Sequence, residues 1–343
     1  MTQNIKNKEY ELNKLWAKIE NEPTDGDSLC YIIKNAPHLR DKAWKKLIEG
    51  EYTNNDLRYV VENINELREE AWEILRQEDL SNYELKNIIE YCPEIADEAW
   101  KILLKQKPTN YELREIARYS SDHKKDAWKK LRKNKPSTAD LVYIMRFVPE
   151  LVEDAWKIFL KNHPDSDDYL DVMKFVDDKS IDAWKKFIEL EPDNKKIIEL
   201  IVDSEKFRHD AWVKLLSHKP ENNEIAMVMR DVPSLRKEAW SRLLDNNVRN
   251  DDLRFIISQV KDYSYEAWKV LAARQPTNYD LCHVIKDSEE YRKNAWDMLK
   301  NNKPTKDDIH FVMKFVPEFR DRAEKLLAET DFDTMNKIIN IIK

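Results

Sequence analysis

Hydrophobic positions recur along this chain with a period of 28 residues. When each repeat is numbered from its tryptophan as position 1, position 4 is Leu, Ile or Phe and position 28 is almost always Ala. A fixed period between about 20 and 50 residues is typical of helical-repeat arrays. The sequence therefore predicts about twelve repeats without insertions. The eleven tryptophans that mark them are Trp16, Trp44, Trp72, Trp100, Trp128, Trp156, Trp184, Trp212, Trp240, Trp268 and Trp296.

Prolines divide each repeat into two segments. Of the thirteen prolines, seven lie at position 9 and five at position 22. Because proline is tolerated at the start of a helix and not inside one, we predict helix A from position 22 to position 7 of the next repeat, and helix B from position 11 to position 20. Position 10 is mostly Thr, Ser or Asp and position 13 is mostly acidic, which is the spacing of a capping box. Apolar residues at positions 14, 17, 18 and 21 then form one face of helix B.

The tryptophan of each repeat is expected to be structural. Ala at position 28, Trp at position 1 and Leu at position 4 share one side of helix A, and a two-helix repeat needs its neighbours to cover that side. The place 28 residues after Trp296 carries Glu324, preceded by Ala323. Because the tryptophan is replaced where no further repeat follows, we expect each tryptophan to pack against the following repeat. We predict a single domain over residues 1–343 with a C-terminal capping unit over 317–343. The acids at positions 26 and 27 and the lysine at position 2 are interpreted as a solvated outer face.

Composition narrows the class of protein. The chain is 41% hydrophobic and 36% charged, and it has no apolar stretch of about 18 residues. The N-terminus lacks the apolar core of a secretory signal, and the three cysteines argue against a disulfide framework, so we expect a cytoplasmic protein without a membrane segment. Two glycines leave no phosphate-binding loop, and the seven histidines have no metal-ligand spacing. We therefore expect no enzyme, no cofactor and no metal site.

Two motifs carry a resemblance to known repeat proteins. They are "P.LR.EAW..LL", over Pro233–Leu244, and "PTN..L..I", over Pro108–Ile116. The chain resembles α-solenoids of the HEAT and leucine-rich-repeat-variant kind, with an armadillo-like superhelix. The resemblance implies an all-α, right-handed α-solenoid over the whole chain. It also implies an arginine ladder, for which the arginines at position 25, paired with acids at position 13 or 27, are the counterpart: Arg40, Arg68, Arg208, Arg236, Arg292 and Arg320.

The outward face of helix B carries the candidate binding residues. Position 19 is basic in seven repeats and acidic in two, although the whole chain has a net charge of -7. Position 16 adds aromatic rings, and in α-solenoids the second helix lines the concave face used for binding. The aromatics at position 20 are interpreted as packing between repeats. The candidate partner-binding residues are Tyr31, Lys34, Tyr59, Arg118, Tyr143, Arg146, Lys174, Arg230, Phe255, Lys286, Phe311 and Lys314.

Three functions fit this pattern. The first is a non-enzymatic scaffold whose helix B surface binds a protein or an acidic extended peptide. The second is binding of single-stranded nucleic acid, with bases stacked on the rings and phosphates on the basic side chains. The net negative charge counts against it. The third is a structural or designed array without a ligand.

Overall fold

The computed structural model describes residues 2–21 and 25–329, and within them it contains helices and short turns but no strand. The prediction of an all-α helical-repeat array is confirmed. A further helix covers 320–329. The preceding helices are α1 Thr2–Ile19, α2 Gly26–Asn35, α3 Arg40–Glu49, α4 Asn54–Asn63, α5 Arg68–Leu75, α6 Asn82–Tyr91, α7 Ala96–Lys105, α8 Asn110–Tyr119, α9 Lys124–Lys133, α10 Thr138–Phe147, α11 Val152–Lys161, α12 Ser166–Phe175, α13 Asp177–Glu189, α14 Asn194–Asp203, α15 Arg208–Ser217, α16 Asn222–Asp231, α17 Arg236–Asp245, α18 Asn250–Gln259, α19 Ser264–Ala273, α20 Asn278–Asp287, α21 Arg292–Asn301 and α22 Lys306–Phe315.

The chain forms two compact bodies, residues 1–186 and residues 187–343, which we call the N-terminal and C-terminal bodies. The packing rule is the same inside each body. A helix B contacts the helix A that follows it and also the helix B of the next repeat, as α8 does with α9 and α10 and as α20 does with α21 and α22. The apolar stripe of each repeat is thus covered by its neighbours.

Helix B has the predicted bounds, positions 11 to 20. Its start is set by a capping box. In α10 the backbone N–H of Ser137 donates to Asp140 Oδ2 at 3.0 Å, and the N–H of Asp140 donates to Ser137 Oγ at 3.1 Å. Both orphan donors at this helix start are satisfied by side chains of the same turn, so the boundary follows from local sequence.

Helix A begins later than predicted. Except in α1 and α13, the α-helix starts at position 25, after a short turn at positions 22 to 24 such as Pro149–Leu151 before α11. Leu151, at position 24, has φ -105° and ψ -1°, which breaks the regular helical geometry. The prediction of position 22 was wrong because proline is tolerated at the first position of a 3₁₀ turn as well as of an α-helix.

The turn after helix A has left-handed backbone at position 8. Eight non-glycine residues there have φ between 49° and 59°. A left-handed residue at this place satisfies carbonyls at the helix end, but a side chain there costs about 1 kcal/mol or more. Neither glycine of the chain occupies this position. The residues are Lys107, Lys135, His163, Glu191, Lys219, Asn247, Gln275 and Lys303.

The tryptophans form a buried column within each body. Nine of the eleven are buried, and Trp184 and Trp240 are half-buried. Trp100 stacks on His123 and Trp268 on Tyr291, with ring centroids 5.5 Å apart in both pairs. His123 and Tyr291 lie at position 24, directly before the helix A that carries the next tryptophan. The prediction that each tryptophan packs against the following repeat is therefore confirmed for these pairs.

The same contact is described at the C-terminal end of the array. The ring of Trp296 packs against Phe319 at 5.5 Å, Ala323 is fully buried, and Glu324 is exposed. Of the predicted capping unit, residues 330–343 lie outside the described part of the chain.

Arginines at position 25 join successive repeats, but with a different acid from the one expected. Arg68 Nε donates to the Val61 carbonyl at 2.8 Å, and its Nη1 lies 2.7 Å from Glu94. That acid is at position 23 of the next repeat, as it also is in the pairs Arg40–Glu66, Arg236–Asp262 and Arg292–Glu318.

The acids at positions 13 and 27 are engaged elsewhere. Asp140, at position 13, caps its own helix and accepts from Asn110 Nδ2 of the preceding repeat at 3.1 Å. Asp154, at position 27, accepts from Trp128 Nε1 and from Arg132, both at 2.8 Å. The predicted partners of the position 25 arginines were therefore wrong.

Candidate functional site

All twelve candidate residues lie on helices B, as predicted, but those of the N-terminal body do not form one continuous surface. Within the N-terminal body they fall into a pair of groups, one on α2 and α4 and one on α8, α10 and α12. Within the C-terminal body, they lie on four successive helices B, α16, α18, α20 and α22. The N-terminal body holds Tyr31, Lys34, Tyr59, Arg118, Tyr143, Arg146 and Lys174, and the C-terminal body holds Arg230, Phe255, Lys286, Phe311 and Lys314.

The group on α8, α10 and α12 contains the densest contacts between cations and rings. The guanidinium of Arg118 lies 3.7 Å from the centroid of the Phe147 ring, and its Nη1 donates to Tyr143 Oη at 2.8 Å. Arg146 lies 4.9 Å from Phe147 and 4.5 Å from Phe175. We call the set Arg118, Tyr119, Tyr143, Arg146, Phe147 and Phe175 the arginine–ring cluster. Its two cations are held between rings from successive helices.

Tyr143 orients Arg118 of this cluster by accepting its hydrogen bond. Burial raises the pKa of its phenol to about 12, so it stays protonated at neutral pH and accepts from Arg118 as a neutral group. Arg114 lies on the same ring, 4.7 Å from its centroid. Tyr143 is thus more covered than the helical pattern indicates, because a long base from the preceding repeat folds over its ring. The same holds for Tyr59 beneath Lys34, at 5.2 Å, whereas Tyr31 at the same position is exposed.

The rings at position 20 are more exposed than predicted. Phe175 and Phe315 do contact a base of the preceding repeat, Arg146 and Lys286, as expected for packing between repeats. These rings are nevertheless exposed, as are Tyr91 and Tyr119. Position 20 lies at the rim between the apolar face and the outward face of helix B, and the distance to the next helix decides which side the ring joins. The sequence signal was their place directly after the basic column at position 19.

Sequence reasoning also missed two arginines at position 15. Arg114 contacts Asp140 at 3.0 Å and Arg254 lies 3.4 Å from Asp280, so each reaches the capping acid of the next repeat. Arg254 also lies 4.6 Å from the ring of Tyr279. Six of the eleven residues at position 15 are small or apolar, as is Cys30, and the available signal was the basic residues among them: Arg58, Lys86, Arg114, Arg254 and His310.

A buried charge group on α4 and α6 separates the two candidate groups of the N-terminal body. Lys86 Nζ lies 3.2 Å from Glu90, and both side chains are less than a tenth exposed. Burial raises the pKa of Glu62. The pKa of Tyr91 rises to about 12, chiefly through its hydrogen bond to Glu90. These acids pair locally, and the basic face is interrupted here.

The C-terminal body presents weaker basic groups. Arg230 forms two contacts with its own neighbour Asp231, at 2.7 and 2.8 Å, and lies 5.7 Å from Phe255. Lys286 and Lys314 lie 5.4 and 5.0 Å from the Phe315 ring. Since Asp231 neutralises Arg230, the arginine–ring cluster is the stronger candidate site.

The thiols do not supply a nucleophile. Cys30, Cys92 and Cys282 are buried and unpaired, and desolvation raises the pKa of these thiols to about 12, 11 and 12. A thiol becomes reactive when its pKa is lowered, so these three are inert at neutral pH.

Among the described residues, no group of three or more His, Cys, Asp or Glu side chains is placed to hold a metal ion. In the same part of the chain, every helix is too short or too polar to cross a membrane.

Comparison with protein families, with curated proteins and with solved structures finds no match. The interpretation of the site therefore rests on its own geometry.

Proposed function

We propose that this protein is a non-enzymatic binding scaffold, a right-handed α-solenoid of the HEAT kind in the cytoplasm, whose helix B surface binds an acidic extended peptide. The observation that carries the proposal is the arginine–ring cluster on α8, α10 and α12. It offers cations and apolar rings on three successive helices B.

The cluster is organised before any ligand arrives. Arg118 is half-buried and oriented by Tyr143 and Phe147, so less side-chain entropy is lost when it binds a carboxylate. A guanidinium can still donate two parallel hydrogen bonds to a carboxylate while its face lies on a ring. Arg146, Tyr119 and Phe175 are exposed beside it. Such a surface suits a peptide that alternates acidic and aromatic residues.

The test uses a labelled peptide rich in glutamate and phenylalanine. The double substitution Arg118→Glu and Arg146→Glu is expected to weaken binding by about a hundredfold, because two charge-assisted contacts become repulsive. The matched control is Lys157→Glu with Lys161→Glu, which makes the same change of charge on helix A of the same body and should leave binding intact.

Two results would remove this proposal. One is equal binding by the double variant and the intact protein. The other is tighter binding of a labelled oligothymidine than of the peptide, with a steep loss of affinity as salt rises, which would identify the cluster as a nucleic-acid site.

A further inference from the structure

A second surface feature lies on helix A, away from the arginine–ring cluster. Between α7 and α9 there is a cleft of about 300 Å³, lined by Trp100, Leu104, Asp126, Lys129, Lys130 and Lys133. This volume is at the small end of the range found for ligand pockets. The mouth carries three lysines and the floor is apolar.

In the repeats on either side, an arginine occupies the equivalent place. Arg76 and Arg132, at position 5, reach the acid at position 27, which lies on the following helix A. The distance is 3.1 Å to Glu98 and 2.8 Å to Asp154. In α7, position 5 is Leu104, which has no group to offer Asp126. Leu104 leaves the cleft between α7 and α9 open, whereas Arg76 and Arg132 fill the equivalent place in the two adjacent repeats.

The surroundings of the cleft are strongly basic. Helix α9 carries six basic residues and one acid, within a chain whose net charge is -7. Of its lysines, Lys124 pairs with Glu150 at 2.5 Å. No ion pair within the described residues involves Lys129, Lys130 or Lys133. With one acid among its lining residues, the cleft has a formal charge of +2 (three lysines minus Asp126).

We propose that the α7–α9 cleft binds a small ligand that carries two or more clustered phosphates. Lysine is a common point-charge partner of phosphate, and three of them within two turns of one helix match adjacent phosphate groups. Lys101 and Lys105 on α7 are exposed nearby and increase the local concentration of anions. The ligand can be free in solution or the headgroup of a phosphorylated lipid.

The decisive variant is Leu104→Arg. It adds a positive charge, but it also introduces the arginine that fills the equivalent place in the two adjacent repeats, and here that arginine would pair with Asp126. Binding of inorganic pyrophosphate, measured by calorimetry, is expected to fall by at least about tenfold. Because Arg76 and Arg132 already occupy this place in two repeats, the variant is compatible with the fold.

Charge-matched variants complete the design. Lys129→Glu with Lys133→Glu is expected to abolish pyrophosphate binding. Lys157→Glu with Lys161→Glu alters the same two positions of the next repeat, where Arg132 fills the cleft, and should change binding by less than about twofold. Circular dichroism verifies that each variant is folded.

The source of the phosphates is separated with vesicles. Phosphatidylcholine vesicles with a bisphosphorylated phosphatidylinositol are compared with phosphatidylcholine alone. Binding to the phosphorylated vesicles that exceeds binding of pyrophosphate, and that Leu104→Arg removes, identifies a lipid headgroup. Binding of pyrophosphate without vesicle binding identifies a soluble ligand.

Three results would overturn the proposal: no binding of either probe, unchanged or tighter binding by Leu104→Arg, or equal losses in the two lysine pairs. The arginine–ring variants Arg118→Glu and Arg146→Glu should leave pyrophosphate binding intact, so this test and that of the peptide site fail independently.

Discussion

The tryptophan column of helix A and the arginine–ring cluster of helix B are built from the same kinds of side chain, namely large rings beside charged partners. In the column, the next repeat covers the ring and accepts a hydrogen bond from its indole N–H, as Glu98 does from Trp72 Nε1 at 3.0 Å. In the cluster, the next repeat supplies rings to a cation but leaves Tyr119, Arg146 and Phe175 exposed. The same chemistry is therefore structural where the following repeat covers it and available for binding where it does not.

The largest expected difference in the free energy of unfolding is between a ring of the tryptophan column and a ring of the arginine–ring cluster. Trp156 is buried, and its centroid lies 5.3 Å from that of Phe159 and 6.3 Å from that of Tyr169. Trp156→Ala is expected to reduce the free energy of unfolding by about 3 to 5 kcal/mol, as a large core truncation does. Phe175→Ala, at an exposed ring of the same body, should cost less than about 1 kcal/mol. Urea unfolding of the two variants measures both losses. Similar losses would contradict the distinction between the tryptophan column and the arginine–ring cluster.

The next difference is between arginines. Arg68 is buried and holds the Val61 carbonyl at 2.8 Å, whereas Arg146 is exposed. Arg68→Met removes the donor to Glu94 and leaves the Val61 carbonyl with only the weak contact from the Cys92 thiol, and we expect a loss of about 1 to 3 kcal/mol. Arg146→Met should stay within about 0.5 kcal/mol of the intact protein. Thermal and urea unfolding give the comparison, and a larger loss for Arg146→Met would reverse it.

The smallest expected effect concerns an acid of the tryptophan column and depends on pH. The hydrogen bond from Trp72, followed by the charge and the hydrogen bond of Arg76, lowers the pKa of Glu98. A lowered pKa stabilises the fold above the ordinary glutamate value of 4.5, and this contribution disappears as the pH falls through the lower folded value. Glu98→Gln should therefore destabilise the protein at pH 7 by less than about 1 kcal/mol, since the carboxylate is half exposed, and less at about pH 3.

Glu70 is the control for this substitution. It occupies the same position relative to Trp44, whose Nε1 has no hydrogen-bond partner in the described structure. Glu70→Gln removes no hydrogen bond from a tryptophan, so it is expected to change the free energy of unfolding at pH 7 by less than Glu98→Gln does. A loss that is the same at both pH values for Glu98→Gln would show that its ionisation is not coupled to folding.

The features that follow from local sequence were predicted well. Helix B was predicted at its observed bounds because its capping box, for example Ser137 with Asp140, lies within one turn. The packing of Trp100 on the next repeat followed from the period and from Glu324 at its end. The start of helix A was not predicted, because the same proline fits the first position of an α-helix and of a 3₁₀ turn.

Features set by the spacing between repeats were predicted less well. The partner of Arg68 depends on how far the next repeat is displaced, and Glu94 is the acid within its reach. The candidate residues lie on helices B as predicted, but in the N-terminal body they are not continuous, since Lys86 and Glu90 pair within one helix and interrupt the basic face. The basic cleft beside Leu104 gives no periodic signal, because leucine or isoleucine is common at position 5 and the charge of the cleft comes from the lysines of α9.

The contacts that join the repeats also bear on how the chain folds. The links through Trp72, Arg68 and Asn110 connect residues 26 to 30 positions apart, and the thiol contact from Cys92 to the Val61 carbonyl spans 31. Closing a loop of this length has a modest entropic cost, and it is the same cost at each repeat. Low contact order favours fast folding, and a repeat that has formed offers its surface to the next. Within each body, order can therefore start at any repeat and spread along the chain in steps of one period.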